Sequence, residues 1–117
     1  MADCRFHELP GGKRLAYEAI AGQGPGIVWL GGLRSDMTGT KAEALAQAAA
    51  SHGRAFLRFD YSGHGRSSGA FRDGLVSDWL AESGAMLDAH ARGRVILCGS
   101  SMGGWLALLL ARARPER

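Results

Sequence analysis

A pair of adjacent serines flanked by glycines is the feature of this sequence best suited to chemistry. The run Gly99-Ser100-Ser101-Met102-Gly103 fits the pattern G-x-S-x-G, with Ser101 at its centre. Glycines two positions before and after a serine allow a sharp turn that projects the side chain outward. An apolar strand-like run, RVILC, precedes the motif and an apolar helix-like run, WLALLLA, follows it. This context predicts that Ser101 is a nucleophile.

The neighbouring Ser100 fits the same pattern less well. Cys98 and Met102 lie two positions before and after it, where the sharp turn needs glycine. The spacing of the glycines therefore favours Ser101 over Ser100.

Two backbone N–H groups are the predicted donors to the oxyanion that forms when a serine attacks a carbonyl group. Met102 is expected to open the helix after the motif, so its N–H has no acceptor within that helix. The second donor is expected from the loop WLGGLRSD, which follows the first predicted parallel strand. Gly31 and Gly32 let this backbone approach a ligand closely, and the N–H of Leu33 is the predicted donor.

Strands and helices that could position these groups are predicted in alternation. Residues 1–20 are typical of a β-hairpin around PGG, and residues 22–26 of a loop. The pattern predicts strands at 27–30, 55–60 and 94–98, alternating with helices at 40–53, 76–90 and 105–113. This alternation predicts one α/β domain, with a mostly parallel sheet and helices on both faces.

Some residues have a predicted place within these elements. Thr40 is the expected N-cap of its helix and Gly53 the residue that ends it. The three tryptophans, Trp29, Trp79 and Trp105, are expected in the core rather than in contact with a cofactor.

Three segments in order resemble the N-terminal half of an α/β-hydrolase: WLGGLRSDMTGTKA, RFDYSGHGRSSG and GSSMGGWLALLLA. The likeness spans nearly the whole chain. It is similar to a branch that includes bacterial hydrolases and a mitochondrial acyl-protein thioesterase. Many members of the family carry a histidine where this chain has Gly31, a departure that affects the choice of Leu33 more than that of Ser101.

The resemblance implies a serine hydrolase that acts on a small-molecule carboxylic ester or thioester, without a metal or an organic cofactor. It also implies that the triad order is Ser, then Asp or Glu, then His. Met102–Arg117 contain no His and no Asp, and Glu116 is their only carboxylate. Residues 1–117 are therefore expected to form a partial domain that ends after the helix following Ser101, without the C-terminal strands.

The missing triad residues leave two hypotheses open. In the first, the chain belongs to a serine hydrolase whose base and acid follow Ser101 in the polypeptide. In the second, it is a catalytically incomplete fragment, inactive alone or completed by another polypeptide. The strand at 94–98 would then be an exposed apolar edge, for which we expect self-association.

The other histidines and Asp60 are expected to have structural or surface roles rather than catalytic ones. His64, in the loop after the strand at 55–60, is expected at or near the surface rather than as a base. Asp60 is expected to brace that loop through turn N–H groups. His7, His52 and His90 are expected to have structural roles.

Composition and charge exclude several classes of protein. The net charge is +3, but the arginines are spread singly, so we expect no nucleic-acid partner. No apolar run of 18 residues is present, so we expect no membrane partner. The glycine-rich runs fit neither a phosphate loop nor a dinucleotide fingerprint. Cys4 and Cys98 form no disulfide framework or metal spacing, and a cytoplasmic location is expected.

Overall fold

The computed structural model describes residues 4–117, and its elements follow the predicted order. The strands are β1 (Arg5–Glu8), β2 (Arg14–Ile20), β3 (Gln23–Leu30), β4 (Arg54–Phe59) and β5 (Val95–Gly99). The helices are α1 (Thr40–Ser51), α2 (Val76–His90) and α3 (Met102–Ala113), and a short 3-10 helix covers Phe71–Asp73.

The five strands form one sheet in the order β1-β2-β4-β3-β5. β3 pairs in parallel with both β4 and β5, whereas β2 pairs antiparallel with β1 and β4. The predicted α/β class is confirmed, and the N-terminal hairpin makes the sheet a mixed one. Because β3, β4 and β5 are parallel, the loops that follow them meet at one edge of the sheet.

Alternating side chains of the strands pack against helices on both faces of the sheet. On one face, strand residues such as Val28, Leu30 and Leu57 form a cluster with α2 and α3. On the other face, Trp29 and Phe56 pack against the alanines of α1, which are Ala42, Ala46 and Ala49. This arrangement follows from the two-residue period of a strand, and it confirms the prediction of helices on both faces.

A buried charge network joins the sheet to α1. Arg58 lies opposite Glu18 in the pairing of β4 with β2, and its Nη2 is 2.8 Å from Glu18 Oε1. Its Nη1 is 2.8 Å from Glu43 Oε1 and donates to the Met37 carbonyl at 3.1 Å. Arg58 and Glu18 are both buried, so removal of Arg58 would leave the Glu18 carboxylate in the interior without a compensating charge.

Two elements begin well before the predicted residue, whereas the other predicted bounds of helices and parallel strands lie within one or two residues of the observed ones. β3 begins at Gln23 rather than at residue 27, because the Gln23 N–H donates to the Gly53 carbonyl at 2.8 Å and Gln23 pairs with Arg54. The register shifts between Gln23 and Ile27, so the segment does not have the regular pattern of a strand. α3 begins at Met102 rather than at residue 105, since the turn at Ser101 leads directly into helical hydrogen bonds.

The capping prediction for α1 is wrong at one end. The N-cap is Gly39 and Thr40 is already helical, without a side-chain cap. Asp36 instead closes the preceding turn, because its Oδ1 accepts from the Thr38 N–H at 2.8 Å and from the Thr38 hydroxyl. At the other end, Gly53 has a φ of 64° just after the C-cap, as expected for the residue that ends a helix.

The expectation of three core tryptophans is right for two of them. Trp29 and Trp79 are buried, whereas Trp105 is 54% exposed on α3. Leu108 on the same helix is 74% exposed, so this side of α3 has an apolar surface that no described residue covers.

Candidate active site

Ser101 lies at the turn between β5 and α3, where a nucleophile was predicted. Its φ is 57° and its ψ is −121°, a conformation that non-glycine residues rarely adopt. The serine is exposed, at the edge where the parallel strands end. Such strain is found where the surrounding structure holds a residue in place for a function.

The glycines on either side of Ser101 are required by the close approach of backbone segments. A Cβ at Gly99 would overlap the Gly103 carbonyl group, and a Cβ at Gly103 would overlap the Leu30 carbonyl. The G-x-S-x-G spacing thus permits the end of β5, the start of α3 and the end of β3 to pack together.

Backbone hydrogen bonds hold this turn against β3. The Ser100 N–H donates to the Leu30 carbonyl at 3.2 Å, and the Gly103 N–H donates to the Ser100 carbonyl at 2.9 Å. Met102 is the first residue of α3, so its N–H has no acceptor within the helix and remains a candidate oxyanion donor.

The loop after β3 approaches the same turn. A Cβ at Gly32 would lie 3.5 Å from Ser101 Cβ and 3.4 Å from the Ser100 carbonyl oxygen. Leu33, the predicted second donor, follows directly and has a side chain that is 51% exposed. The structure therefore brings the glycine loop and the serine turn together, as the sequence predicted.

Buried carboxylates brace the loop after β4. Asp60 Oδ1 accepts from the Met37 N–H at 2.7 Å, and its Oδ2 accepts from the Arg66 N–H at 3.1 Å, so Asp60 has the bracing contacts expected of it. Burial raises the pKa of the Asp60 carboxyl, although both N–H donors act in the opposite direction. Glu82 of α2 accepts from the Ser62 N–H at 2.8 Å and from its hydroxyl at 2.6 Å.

His64 is buried within that loop, so the expectation that it lies at or near the surface is wrong. It is 3% exposed, and its ring makes edge contacts with Tyr61, Trp79 and Phe71. Its Nδ1 lies 3.1 Å from the Ser62 carbonyl oxygen. The aromatic side chains of the 3-10 helix and α2 enclose the imidazole, a packing that the glycine-rich loop sequence does not reveal.

The other histidines make contacts away from the serine. His90 Nε2 lies 2.9 Å from His7 Nδ1, and His52 Nδ1 lies 2.9 Å from the Ala48 carbonyl oxygen. Within residues 4–117, no hydrogen bond joins a histidine or a carboxylate to Ser101. The site therefore holds a candidate nucleophile and candidate oxyanion donors, and no described histidine or carboxylate is hydrogen-bonded to Ser101.

Three side chains near the site were not found from the sequence. Lys41 Nζ donates to Ser100 Oγ at 3.2 Å, and the Tyr61 hydroxyl donates to the Gly31 carbonyl at 2.8 Å. Glu82 is the third, through its bonds to Ser62. Each pair is separated by 20 to 59 positions, so no local pattern indicates it.

The described residues contain neither a metal-binding cluster nor a membrane-spanning helix. Residues 4–117 contain no cluster of three His, Cys, Asp or Glu side chains arranged to hold a metal ion. None of the described helices has the length and apolar character needed to cross a bilayer.

Comparison with known proteins supports the sequence resemblance. The family model described as Serine aminopeptidase, S33, matches residues 28–117. "Palmitoyl-protein thioesterase ABHD10, mitochondrial" of Rattus norvegicus is 46% identical over 110 residues, which cover 94% of this chain and 36% of that protein. The chain therefore spans little more than a third of the length of that relative.

Solved structures give the same result for the fold. Alpha/beta hydrolase domain-containing protein 10 from mouse matches with a TM-score of 0.95 and 43% identity, covering 98% of this chain and 46% of that chain. A putative hydrolase from Agrobacterium vitis S4 matches with a TM-score of 0.88 and 46% identity, covering 98% and 47%. In both, this chain corresponds to less than half of the matched protein, consistent with the predicted N-terminal portion.

The expected cytoplasmic location is contradicted by these comparisons. The relatives from rat, mouse and cattle are all named as mitochondrial proteins, not as cytoplasmic ones. The lack of a disulfide framework, on which the expectation depended, does not distinguish these two compartments.

Proposed function

The chain belongs to the Serine aminopeptidase, S33, family of the α/β-hydrolase superfamily, and from this premise we propose that it carries the nucleophile of an esterase or thioesterase. The observation that carries the proposal is the strained, exposed Ser101, held between Gly99 and Gly103 and beside Gly32. The choice of an acyl ester or thioester as the substrate is supported by the relatives named as palmitoyl-protein thioesterases.

In the proposed reaction, Ser101 Oγ attacks the carbonyl carbon of the substrate and gives its proton to a base. The carbonyl oxygen becomes an oxyanion, to which the Met102 and Leu33 N–H groups donate. Collapse of this intermediate breaks the bond to the leaving alcohol or thiol, which takes up the proton. The acyl group remains on Ser101 until water hydrolyses it and restores the hydroxyl group.

We assign the base to a histidine, and its orienting partner to a carboxylate, that follow Ser101 in the order typical of the family. We do not assign His64 as the base, because aromatic rings enclose it and its Nδ1 lies against the Ser62 carbonyl oxygen. The chemistry needs no metal or organic cofactor, because a base and oxyanion donors suffice for acyl transfer.

A catalytically incomplete chain is the second candidate, supported by a specific observation. No described histidine or carboxylate contacts Ser101, and Met102–Arg117 contain no His and no Asp. Without a base, a serine retains only the residual catalysis that oxyanion donors and binding provide. In this case the residues would be inactive alone, or another polypeptide would complete the site.

Labelling of the protein expressed from its complete coding sequence with a fluorophosphonate distinguishes the two candidates, because the reagent reacts rapidly only with an activated serine. For the first candidate we expect rapid labelling that Ser101→Ala abolishes and the control Ser100→Ala retains. A folded sample that takes up no label would instead support the incomplete chain. Labelling that persists in Ser101→Ala would contradict the assignment of the nucleophile.

The edge of β5 is a proposed site of self-association. β5 pairs with β3 on one side, and no described strand pairs with its other side. Ile96, in the middle of this strand, is 45% exposed. Unpaired backbone groups beside an exposed apolar side chain favour pairing with another strand, which a second copy of the chain would supply.

A further inference from the structure

Two consecutive buried side chains after β4 both contact the loop that follows β3. The Tyr61 hydroxyl donates to the Gly31 carbonyl at 2.8 Å, and Asp60 Oδ1 accepts from the Met37 N–H at 2.7 Å. Tyr61 is 2% exposed and Asp60 is 4% exposed. The loop is therefore held near both of its ends by neighbouring residues of a different segment.

The bond to Gly31 is the one nearer the nucleophile. The Gly31 carbonyl shares a planar peptide unit with the Gly32 N–H, so a bond that orients the carbonyl also orients the Gly32 N–H. Gly32 lies against Ser101, and the Leu33 N–H follows it by one residue. A change in the direction of the Gly31 carbonyl would thus be passed to the backbone beside Ser101.

We propose that Tyr61 is a positioning residue that fixes the oxyanion loop through its bond to the Gly31 carbonyl. This inference rests on the proposed function of Ser101, and it assigns a role to a residue outside the serine motif. The Tyr61 hydroxyl bonds to Gly31 rather than to Ser101, so it acts only through the loop.

The surroundings of Tyr61 suit this role. Its ring packs edge-on against Phe59 and His64, with centroids 5.6 and 5.4 Å away, which leaves the hydroxyl little freedom to turn elsewhere. Burial, together with the nearby Glu82 carboxylate, raises the pKa of Tyr61, so the hydroxyl stays protonated and remains a donor. Glu82 also holds the next residue, Ser62, and so fixes the segment that carries Tyr61.

The test is a Tyr61→Phe variant of the protein expressed from its complete coding sequence. Phenylalanine keeps the ring and removes only the donor to Gly31. Loss of a direct oxyanion donor lowers kcat by about 100-fold to 1000-fold, so we expect a smaller loss, on the order of 10-fold, for a residue that acts through the loop. KM should change by less than about 2-fold, because a group that acts in the transition state affects kcat more than ground-state binding.

Tyr17 provides a matched control. Its ring stacks on His90, with the two centroids 4.0 Å apart, and not on the oxyanion loop. Tyr17→Phe should leave both kcat and KM unchanged. An aniline side chain at position 61, introduced as p-aminophenylalanine, retains a donor and should restore most of the lost kcat. Unchanged kcat in Tyr61→Phe, or equal losses in both tyrosine variants, would overturn the inference.

Two further outcomes are also decisive. A Tyr61→Phe variant that fails to fold would overturn the inference, because the hydroxyl would then serve the fold rather than the loop. If the wild-type protein has no activity that depends on Ser101, the proposed function fails. That result is distinguishable from a failure of the Tyr61 inference, in which the wild type is active and Tyr61→Phe is equally active.

Discussion

Alanine at Gly103 should disrupt the turn that presents Ser101, and the structure indicates how severe the effect will be. A Cβ at Gly103 would overlap the Leu30 carbonyl and lie 2.6 Å from the Gly31 carbonyl oxygen. Both obstacles are backbone atoms, so no side chain can rotate away to relieve the overlap. Overpacking in a well-packed interior costs about 1–3 kcal/mol, and we expect Gly103→Ala at or above the upper end of this range.

The next residue provides a control with the opposite sign. A Cβ at Gly104 would lie 3.7 Å from the Gly99 carbonyl oxygen, an ordinary van der Waals contact. Gly104 belongs to α3, and replacement of a helical glycine by alanine stabilises a protein by about 0.5–1 kcal/mol. The two variants add the same methyl group at adjacent positions and should change the free energy of unfolding in opposite directions.

Urea denaturation followed by circular dichroism measures both free energies of unfolding, with labelling by a fluorophosphonate as a second readout. Gly103→Ala should shift the midpoint to lower urea and lose the label, whereas Gly104→Ala should shift it slightly higher. A Gly103→Ala variant as stable as the wild type, or a Gly104→Ala variant equally destabilised, would refute the reasoning about the turn.

Three other perturbations have expected outcomes. Burial and the neighbouring His7 lower the pKa of His90 from 6.5, so the unfolded chain binds this proton at higher pH than the folded chain. The free energy of unfolding should therefore fall as the pH drops from 6.5 through the lowered folded pKa. His90→Phe should reduce this slope in pH-dependent melts, and an unchanged slope would contradict the expectation. Leu106→Ala, at a fully buried position, should cost about 2–5 kcal/mol in urea denaturation, and a cost near zero would contradict its place in the core. Ile96→Lys should reduce self-association in sedimentation, and an unchanged oligomer would exclude the β5 edge as the interface.

The order of strands and helices, and the turn at Ser101, could be predicted because their signals are local. The apolar run RVILC indicated β5, and the glycine spacing indicated the turn. The start of β3 could not be predicted in the same way, since its first residues pair with Arg54 across a register shift. The N-cap at Gly39 was missed because Asp36, rather than Thr40, closes the turn before the helix.

The contacts that support the candidate site were beyond prediction from the sequence. Tyr61 reaches Gly31 across 30 positions, and Lys41 reaches Ser100 across 59. Such pairs depend on which strands are neighbours, and the sheet order places β3 between β4 and β5. His64 shows the same limitation, because its burial depends on α2 and the 3-10 helix rather than on its own loop.

The assignment of Ser101 as the nucleophile is tested most directly by locating the covalent adduct of a fluorophosphonate. Trypsin should release Val95–Arg112, a peptide that contains both Ser100 and Ser101. Fragmentation of the bond between the two serines in a mass spectrometer then shows which of them carries the added mass. We predict that the adduct lies on Ser101, and an adduct on Ser100 or outside this peptide would contradict the account.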